Sequence, residues 1–546
     1  MLPDELRKQF PLTAAAFADP SAAHGRADPR AADEALRHIA YLDQRFRRRS
    51  QVAITPRRRS ARAPAPPRFD VVLAGGGLSL IYAVALGRAG HRVAVFDRRR
   101  IGCGHREWNI SRDELRPLVE SGLFTAAEVE RLVRMQYESG FCRFAGGGSY
   151  SVRDVLDCVI DAEALLTALR ERATAAGVVL LDHHELVGYS PARFRDGDGI
   201  DVHVRPVAPA AGRARPQGRD DEADAPDGAA GLTLRARLFI DGLGAASPHA
   251  RFDLCCPTVG GVLDGLQLGS GPLEMDPSVG EILVTTEGIE AGQQHIWEGF
   301  PAPPAPEDAD QPSRRMTVYL FYYARPRCLD RVGPYPLLSL YERFFETLPR
   351  YKRGPLRLLR PTYGYIPAYT RLGPMPAAPS DRVFLVGDAA GRHSPLTFCG
   401  FGSMIRSFWP VTQGLLRCLR DDQLDRATLS SLWREPPALQ VLGGLTLMMS
   451  PPEDEPVDEP EGINQLLDAA FAALHAMGQK TYAAFLKDDF DAATFVRFML
   501  DAAARHPAVY RKVFVHLSPT EVATWLWRLG RLGLATRGQR ASGVAR

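Results

Sequence analysis

Three consecutive glycines, Gly75, Gly76 and Gly77, are followed twenty positions later by Asp97. Glycines in a turn let a backbone approach a pyrophosphate, whose charge then sits at the positive end of the following helix. A carboxylate at that later position accepts from a ribose hydroxyl. The chemistry is dinucleotide binding, with Gly75, Gly76, Gly77, Asp97 and the adjacent Arg98 as cofactor contacts. Such a site needs a strand, a turn, a helix and a second strand, and residues 69–99 supply them in that order. Val71 to Ala74 is an apolar strand, Leu78 to Ala89 has helical spacing of apolar residues, Gly90 stops it, and Arg92 to Phe96 is the second strand. The third glycine of the fingerprint is replaced by Leu80. That glycine ordinarily serves close helix–strand packing, and Ser79 beside it is small. A packed βαβ unit without a ligand is the competing reading.

A second motif lies far downstream in DRVFLVGDAAGRHSPLTFCGFGSMIRSF, Asp381 to Phe408. Val383 to Val386 reads as a buried strand ended by Gly387 and Asp388. A loop carrying His393 and Pro395 leads to Gly400, Phe401 and Gly402, which open a helix to about Leu419. The carboxylate suits a hydroxyl of a flavin's ribityl chain. The helix N-terminus suits the pyrimidine end of the flavin ring and stabilises negative charge there. Two such motifs separated by a β-rich insert point to FAD. Between them, the strand Leu232 to Ile240 runs into Asp241, Gly242, Gly244 and Ser247, a pattern that recurs in FAD-binding oxidoreductases; an ordinary glycine turn is the alternative.

The 546 residues allow two or three domains. A hydrophobic content of 45% and a charged content of 24% describe an ordinary globular chain, and a net charge of +3 gives no argument for nucleic acid. The eight cysteines are scattered without CxxC spacing, which fits a reducing compartment, and adjacent Cys255 and Cys256 read as small buried residues. MLPDELRKQF is too polar for a signal, and there is no apolar run of about eighteen residues to span a membrane.

Residues 1–68 comprise a helix near Ala31 to Arg45 and an arginine- and proline-rich linker, either a solvated tether or a contact for anionic lipid. Residues 69–250 form the first part of a Rossmann-like domain, with a low-complexity insert at 206–231. Capping boxes at Ser111/Glu114 and Thr125/Glu128 open helices, and the Glu107–Trp108–Asn109 loop before them falls near the strand ends that face a ligand crevice. Residues 251–380 are a β-rich substrate domain in which QQHIWEGF and RMTVYLFYY form a hairpin. Residues 381–420 complete the Rossmann-like domain. Residues 421–546 are helical, and Trp525, Leu526 and Trp527 with Arg528 and Arg531 on the last helix suit a lipid interface as well as they suit a packed helix with a basic end.

The first glycine turn, REWNISRDEL, QQHIWEGFPA and GDAAGRHSPLTFCGFG together resemble the CruA/CruP-type flavoprotein lycopene cyclases, over roughly residues 65–535. The resemblance implies an α/β fold on the p-hydroxybenzoate-hydroxylase-like plan, with the β-rich domain inserted and a helical C-terminal region. It implies reduced FAD, with NAD(P)H as electron source, and redox-neutral closure of the ψ-end of lycopene to γ- or β-carotene on a membrane surface. A cytoplasmic, peripherally bound protein follows. Plant-type cyclases carry a paired-glutamate strand, but VYLFYY, Val318 to Tyr323, has no acid. The reaction requires protonation at C2, ring closure to a C5 cation and loss of a proton from C6. That calls for an acid of raised pKa in an apolar cleft and nearby negative charge for the cation, which reduced anionic flavin fits. Glu298 is the leading candidate acid, in an aromatic strand near the cleft; strand alternation sets it opposite Trp297 and on the Ile296 face, and a salt-bridged or solvent-facing strand residue is the competing reading. Glu287 and His393 are the others. A flavin monooxygenase or isoprenoid double-bond reductase shares this plan, and a non-catalytic pigment-binding relative is a third reading.

Overall fold

The computed structural model describes residues 3–19, 29–48, 68–104, 107–194, 197–207, 231–304, 308, 310–329, 331–370, 378–392, 400–433, 438–447, 449–450, 462–508, 511 and 517–541. His393, Pro395, nearly all of the 206–231 insert and the 49–67 part of the basic linker lie outside them.

The strands in chain order are β1 (Arg68–Ala74), β2 (Val93–Phe96), β3 (Trp108–Ile110), β4 (Val133–Gln136), β5 (Ser139–Arg143) and β6 (Ser149–Val152). They continue as β7 (Cys158–Ile160), β8 (Val179–Leu181), β9 (His184–Phe194), β10 (Gly197–Pro206), β11 (Leu232–Asp241) and β12 (Leu254–Asp264). The last are β13 (Val279–Val284), β14 (Ile296–Ala302), β15 (Arg315–Phe321), β16 (Arg357–Ala368) and β17 (Val383–Leu385).

The first sheet runs β8-β2-β1-β11-β10-β9. β17 joins parallel to the far end of β11, pairing Phe239 with Val383 and Asp241 with Leu385. β1 is parallel to both β2 and β11, so its residues Val71 to Ala74 are covered on both faces and fully buried. The Leu80–Arg88 helix is buried along Leu80 to Gly87. The missing third glycine is accommodated because close packing falls elsewhere: a Cβ on Gly242 would come within 2.8 Å of the Ser79 Cβ, so the small serine meets a glycine.

The second sheet runs β16-β12-β15-β14-β13-β5-β6. Its composition corrects the expected domain boundary at 250. β5 and β6, from the segment assigned to the Rossmann-like half, form one edge of the substrate sheet, with Ser139 pairing in parallel with Val279. Short strands of this kind carry no sequence mark of which sheet they join. The β14–β15 hairpin forms as expected, with Glu298 opposite Tyr319 and Ile296 opposite Phe321. The 16-residue Pro336–Tyr351 helix packs its apolar face on the back of this sheet, where Trp297 stacks on Tyr351 at 4.4 Å.

The C-terminal helices Gly462–Ala476, Gln479–Leu486, Ala492–Arg505 and Pro519–Ala541 share a core with β5, β6 and β14. The last helix differs from its expected amphipathic division. Trp525 is buried and donates its indole N–H to the Val441 carbonyl at 2.8 Å, and Arg528 is buried too, while Leu526, Trp527 and Leu534 are exposed. No helix among the described residues is long and apolar enough to cross a membrane.

Candidate functional site

A cavity of about 300 Å³ lies where the two sheets face each other. One wall belongs to the first sheet: Gly77, Leu78 and Ser79 of the glycine turn, Gly242 and Gly244 after β11, and Val386 to Asp388 after β17. All three segments follow the C-terminal ends of parallel strands, the edge at which open α/β sheets bind ligands. The opposite wall is one face of the second sheet. Glu298, Tyr319, Phe321, Thr258, Thr362 and Gly364 line it. The register explains the grouping: Glu298 pairs with Tyr319, Tyr319 with Gly260, and Gly260 with Thr362, giving one row across four strands. Phe321, Thr258 and Gly364 form the next row.

Gly75 has φ +109, and a Cβ there would come within 2.3 Å of the Gly242 carbonyl oxygen. Its glycine therefore serves the turn's shape. Gly76 packs on Ile101, where a Cβ would meet the side chain at 2.7 Å. Gly77 differs: nothing lies within 4 Å of a Cβ built there. That open space adjoins the cavity and fits a ligand's close approach. Asp97 accepts the Gly76 amide at 2.7 Å and the Arg99 amide at 2.8 Å, so the acid also holds the turn. Each carboxylate oxygen has a further lone pair for a ribose hydroxyl. Arg98 lies outside the cavity, and its guanidinium donates to the Tyr41 hydroxyl at 3.1 Å.

Gly387 has φ +61 and starts a short 3₁₀ turn containing Asp388. A Cβ on Gly244 would stand 3.7 Å from an Asp388 carboxylate oxygen, so the turn after β11 and the second motif meet here. Gly400, Phe401 and Met404, from the first turn of the 22-residue Gly400–Asp421 helix, line the cavity. The first described turn of this helix thus adjoins the cavity, with the helix's positive dipole end toward it. Gly402 is buried in that turn but faces away from the cavity. Phe401 stacks on Trp108 at 4.8 Å, so Trp108 is both a cavity wall and a packing residue.

Glu298 lines the cavity, and it lies opposite Trp297 and on the Ile296 face, the division that alternation gives. Burial among Tyr319, Phe321 and Leu156 pushes its carboxyl up to about 7, and the hydrogen bond from Asn109 partly offsets that rise. The Asn109 amide donates to Glu298 Oε1 at 3.0 Å. Near neutral pH the group therefore holds a proton part of the time and can donate it. Asp241, at the end of β11, is fully buried, and burial raises it to about 6 against the Ser247 hydroxyl and the Leu243 amide that hydrogen-bond to it.

Glu287 does not join this cavity. Burial raises its carboxyl, but His295 and Arg343 together outweigh that and hold it below the usual carboxylate range. Arg343 bonds both its oxygens at 3.0 and 3.1 Å, so this charge-paired group is corrected from proton donor to structural anion. Tyr319, Phe321 and Thr258 carry no sequence signal of a site; the cross-strand register, with Glu298 opposite Tyr319 and Thr258 opposite Phe321, brings them to the cavity.

No family model matches the chain, and no curated protein matches it in sequence. In fold it is similar to a geranylgeranyl bacteriochlorophyll reductase-like protein from Thermoplasma acidophilum, with TM-score 0.55 and 12% identity, covering 82% of this chain and 99% of that one. Halogenase PltM is similar at TM-score 0.53 and 12% identity, covering 86% and 96%. Its complex with phloroglucinol and FAD gives TM-score 0.51 and 13% identity, covering 87% and 93%. The chain has the flavoprotein fold. That fold puts both glycine motifs on one side of the cavity and the β-rich sheet on the other, the α/β plan expected from the sequence. Among the described residues there is no cluster of ligands for a metal ion.

Proposed function

We propose that the protein binds FAD and uses Glu298 to protonate a carbon–carbon double bond of an apolar isoprenoid in the cavity. The observation that carries this is a single proton-holding carboxyl, oriented by Asn109, on an aromatic wall opposite the glycine turn and the Gly400–Asp421 helix start. Gly75 to Gly77 and Asp97 would hold the pyrophosphate and adenosine ribose, and Asp388 the ribityl chain. The open space at Gly77 fits such a group. When bound and reduced, the flavin supplies negative charge or a hydride beside the reacting carbon. The chain's own residues do the rest: Glu298 delivers the proton, Asn109 sets the carboxyl's direction, and Tyr319 and Phe321 exclude water.

For the reaction itself, we put first the cyclisation of the ψ-end of lycopene to a β-ring, on the strength of the motif resemblance. Glu298 gives its proton to C2, the ring closes to a C5 cation, and C6 loses a proton, so no net electron leaves. The second reading is reduction of an isoprenoid double bond, favoured by the likeness to the reductase-like protein over nearly all of that protein's length. There the same acid would supply the proton that accompanies a hydride. A flavin monooxygenase is the remaining variant.

Either isoprenoid substrate resides in lipid, and we assign the exposed Leu500, Leu526, Trp527 and Leu534 of the last helices to membrane-surface contact. Expression in a lycopene-accumulating host, followed by pigment chromatography and mass analysis, tests the reading. A ringed product of unchanged mass supports cyclisation, and a product heavier by two hydrogens supports reduction. Unaltered lycopene from a flavin-loaded protein removes the cyclase reading.

A further inference from the structure

The Pro29–Arg48 helix lies outside both glycine motifs, and its sequence reads as a helix leading into a linker. Its inner face is fixed to the substrate sheet and to the helix behind it: Phe46 stacks on Tyr365 at 3.8 Å, and buried Asp43 accepts the amide of Leu337, in the Pro336–Tyr351 helix, at 3.1 Å. One rim remains outside. His38 and Tyr41, one turn apart, are both exposed, and Tyr41 keeps 42% of its surface in solvent.

That rim connects two parts of the cofactor groove. The Tyr41 hydroxyl accepts from Arg98 at 3.1 Å, and Arg98 directly follows Asp97, the acid that marks the adenosine ribose. At the other end, the His38 ring stands 5.9 Å from Tyr363, which lines the cavity, and 6.4 Å from the Tyr41 ring. Tyr41, His38 and Tyr363 thus make a row of rings from the ribose acid to the cavity wall. An exposed aromatic ring tethered through its hydroxyl to a cation beside a ribose site is suited to stacking a purine.

We propose that the adenine of FAD stacks on Tyr41, so that the N-terminal helix forms the outer wall of the cofactor site. The inference rests on the FAD reading above and not on which reaction follows. It makes the helix a clamp across two domains, anchored on the substrate sheet and closing on a ligand held by the Rossmann-like sheet.

The test measures FAD affinity of the full chain by quenching of flavin fluorescence, together with the melting temperature of the flavin-free protein. Tyr41→Ala should weaken FAD about tenfold, the loss of one base stack, and leave the flavin-free melting temperature unchanged. Tyr41→Trp should bind within about twofold of wild type, a small fraction of one base stack. Unchanged FAD affinity in Tyr41→Ala overturns the proposal, as does a tryptophan variant as weak as alanine or a melting temperature that falls in step with affinity. A rise confined to the KM for NAD(P)H in flavin reduction also overturns it, because the ring would then serve a second dinucleotide. If wild-type protein takes up no flavin at all, the FAD reading itself fails; if wild type binds FAD and Tyr41→Ala binds it as tightly, the clamp alone fails.

Discussion

Asn109 and Glu298 meet at 3.0 Å although 189 residues separate them, one on a loop strand beside the Rossmann-like sheet and the other mid-strand in the substrate sheet. The contact joins the two halves at the point where the acid faces the cavity. Replacing Glu298 with Gln keeps the shape and removes the exchangeable proton. We expect turnover to fall by about a hundredfold or more, the usual contribution of a general acid. FAD content should stay unchanged, as read from the flavin absorbance of the purified variant.

The pH dependence follows from the same pair. Glu298 must be protonated to act, so activity should decline as pH rises through about 7. Asn109 donates to the carboxylate and favours its charged form, so Asn109→Leu should move that decline to higher pH. A decline at the same pH in both proteins would mean that another group controls it.

Stability carries a related signature. Glu298 titrates near 7 in the folded chain and Asp241 near 6, each raised chiefly by burial. Between their ordinary values near 4 and these raised ones, the native state binds more protons than the unfolded state. Their contribution is therefore complete at low pH and is lost as pH climbs through 6 to 7. The melting temperature of Glu298→Gln should fall less between pH 5 and pH 8 than that of wild type.

The two glycines of the first motif should separate shape from binding. Gly75→Ala meets both a φ of +109 and the Gly242 carbonyl, so it should destabilise the fold by about 2 kcal/mol or more in denaturant unfolding. Gly77→Val adds bulk to open space. It should leave unfolding nearly unchanged while weakening FAD at least tenfold, about 1.4 kcal/mol.

Arg406 of the Gly400–Asp421 helix bridges Glu114 and Asp488, both buried. It ties the Gly400–Asp421 helix to the capping-box turn and to the C-terminal region. Arg406→Met removes the cation between two buried carboxylates and should cost about 3 kcal/mol, measured by denaturant unfolding.

Much of this was legible in the chain. The glycine turn, both capping boxes, β14 with β15, and the Gly400 helix start are local patterns, set by backbone freedom and short-range hydrogen bonds. Alternation placed Glu298 on the right face because side chains in a strand repeat every second residue. What could not be read was partnership across distance. Nothing in Ser139 to Val152 indicates that these residues edge the second sheet, and nothing in Tyr41 indicates Arg98 as its neighbour. Glu287 shows the same limit: only the helix that brings Arg343 to it makes it a paired anion. Trp525 and Trp527 stand two apart, and helical rotation buries one and exposes the other.

The parallel pairing of β5 with β13, and of β17 with β11, has a consequence for the chain as it is made. Neither sheet can be completed by the N-terminal half alone: the second waits for Arg357–Ala368, the first for Val383–Leu385. A nascent chain stopped before Arg357 would carry both sheets unfinished, each open edge a template for wrong partners. The protein should therefore depend on chaperones during synthesis and tolerate no stable fragment ending short of the second glycine motif.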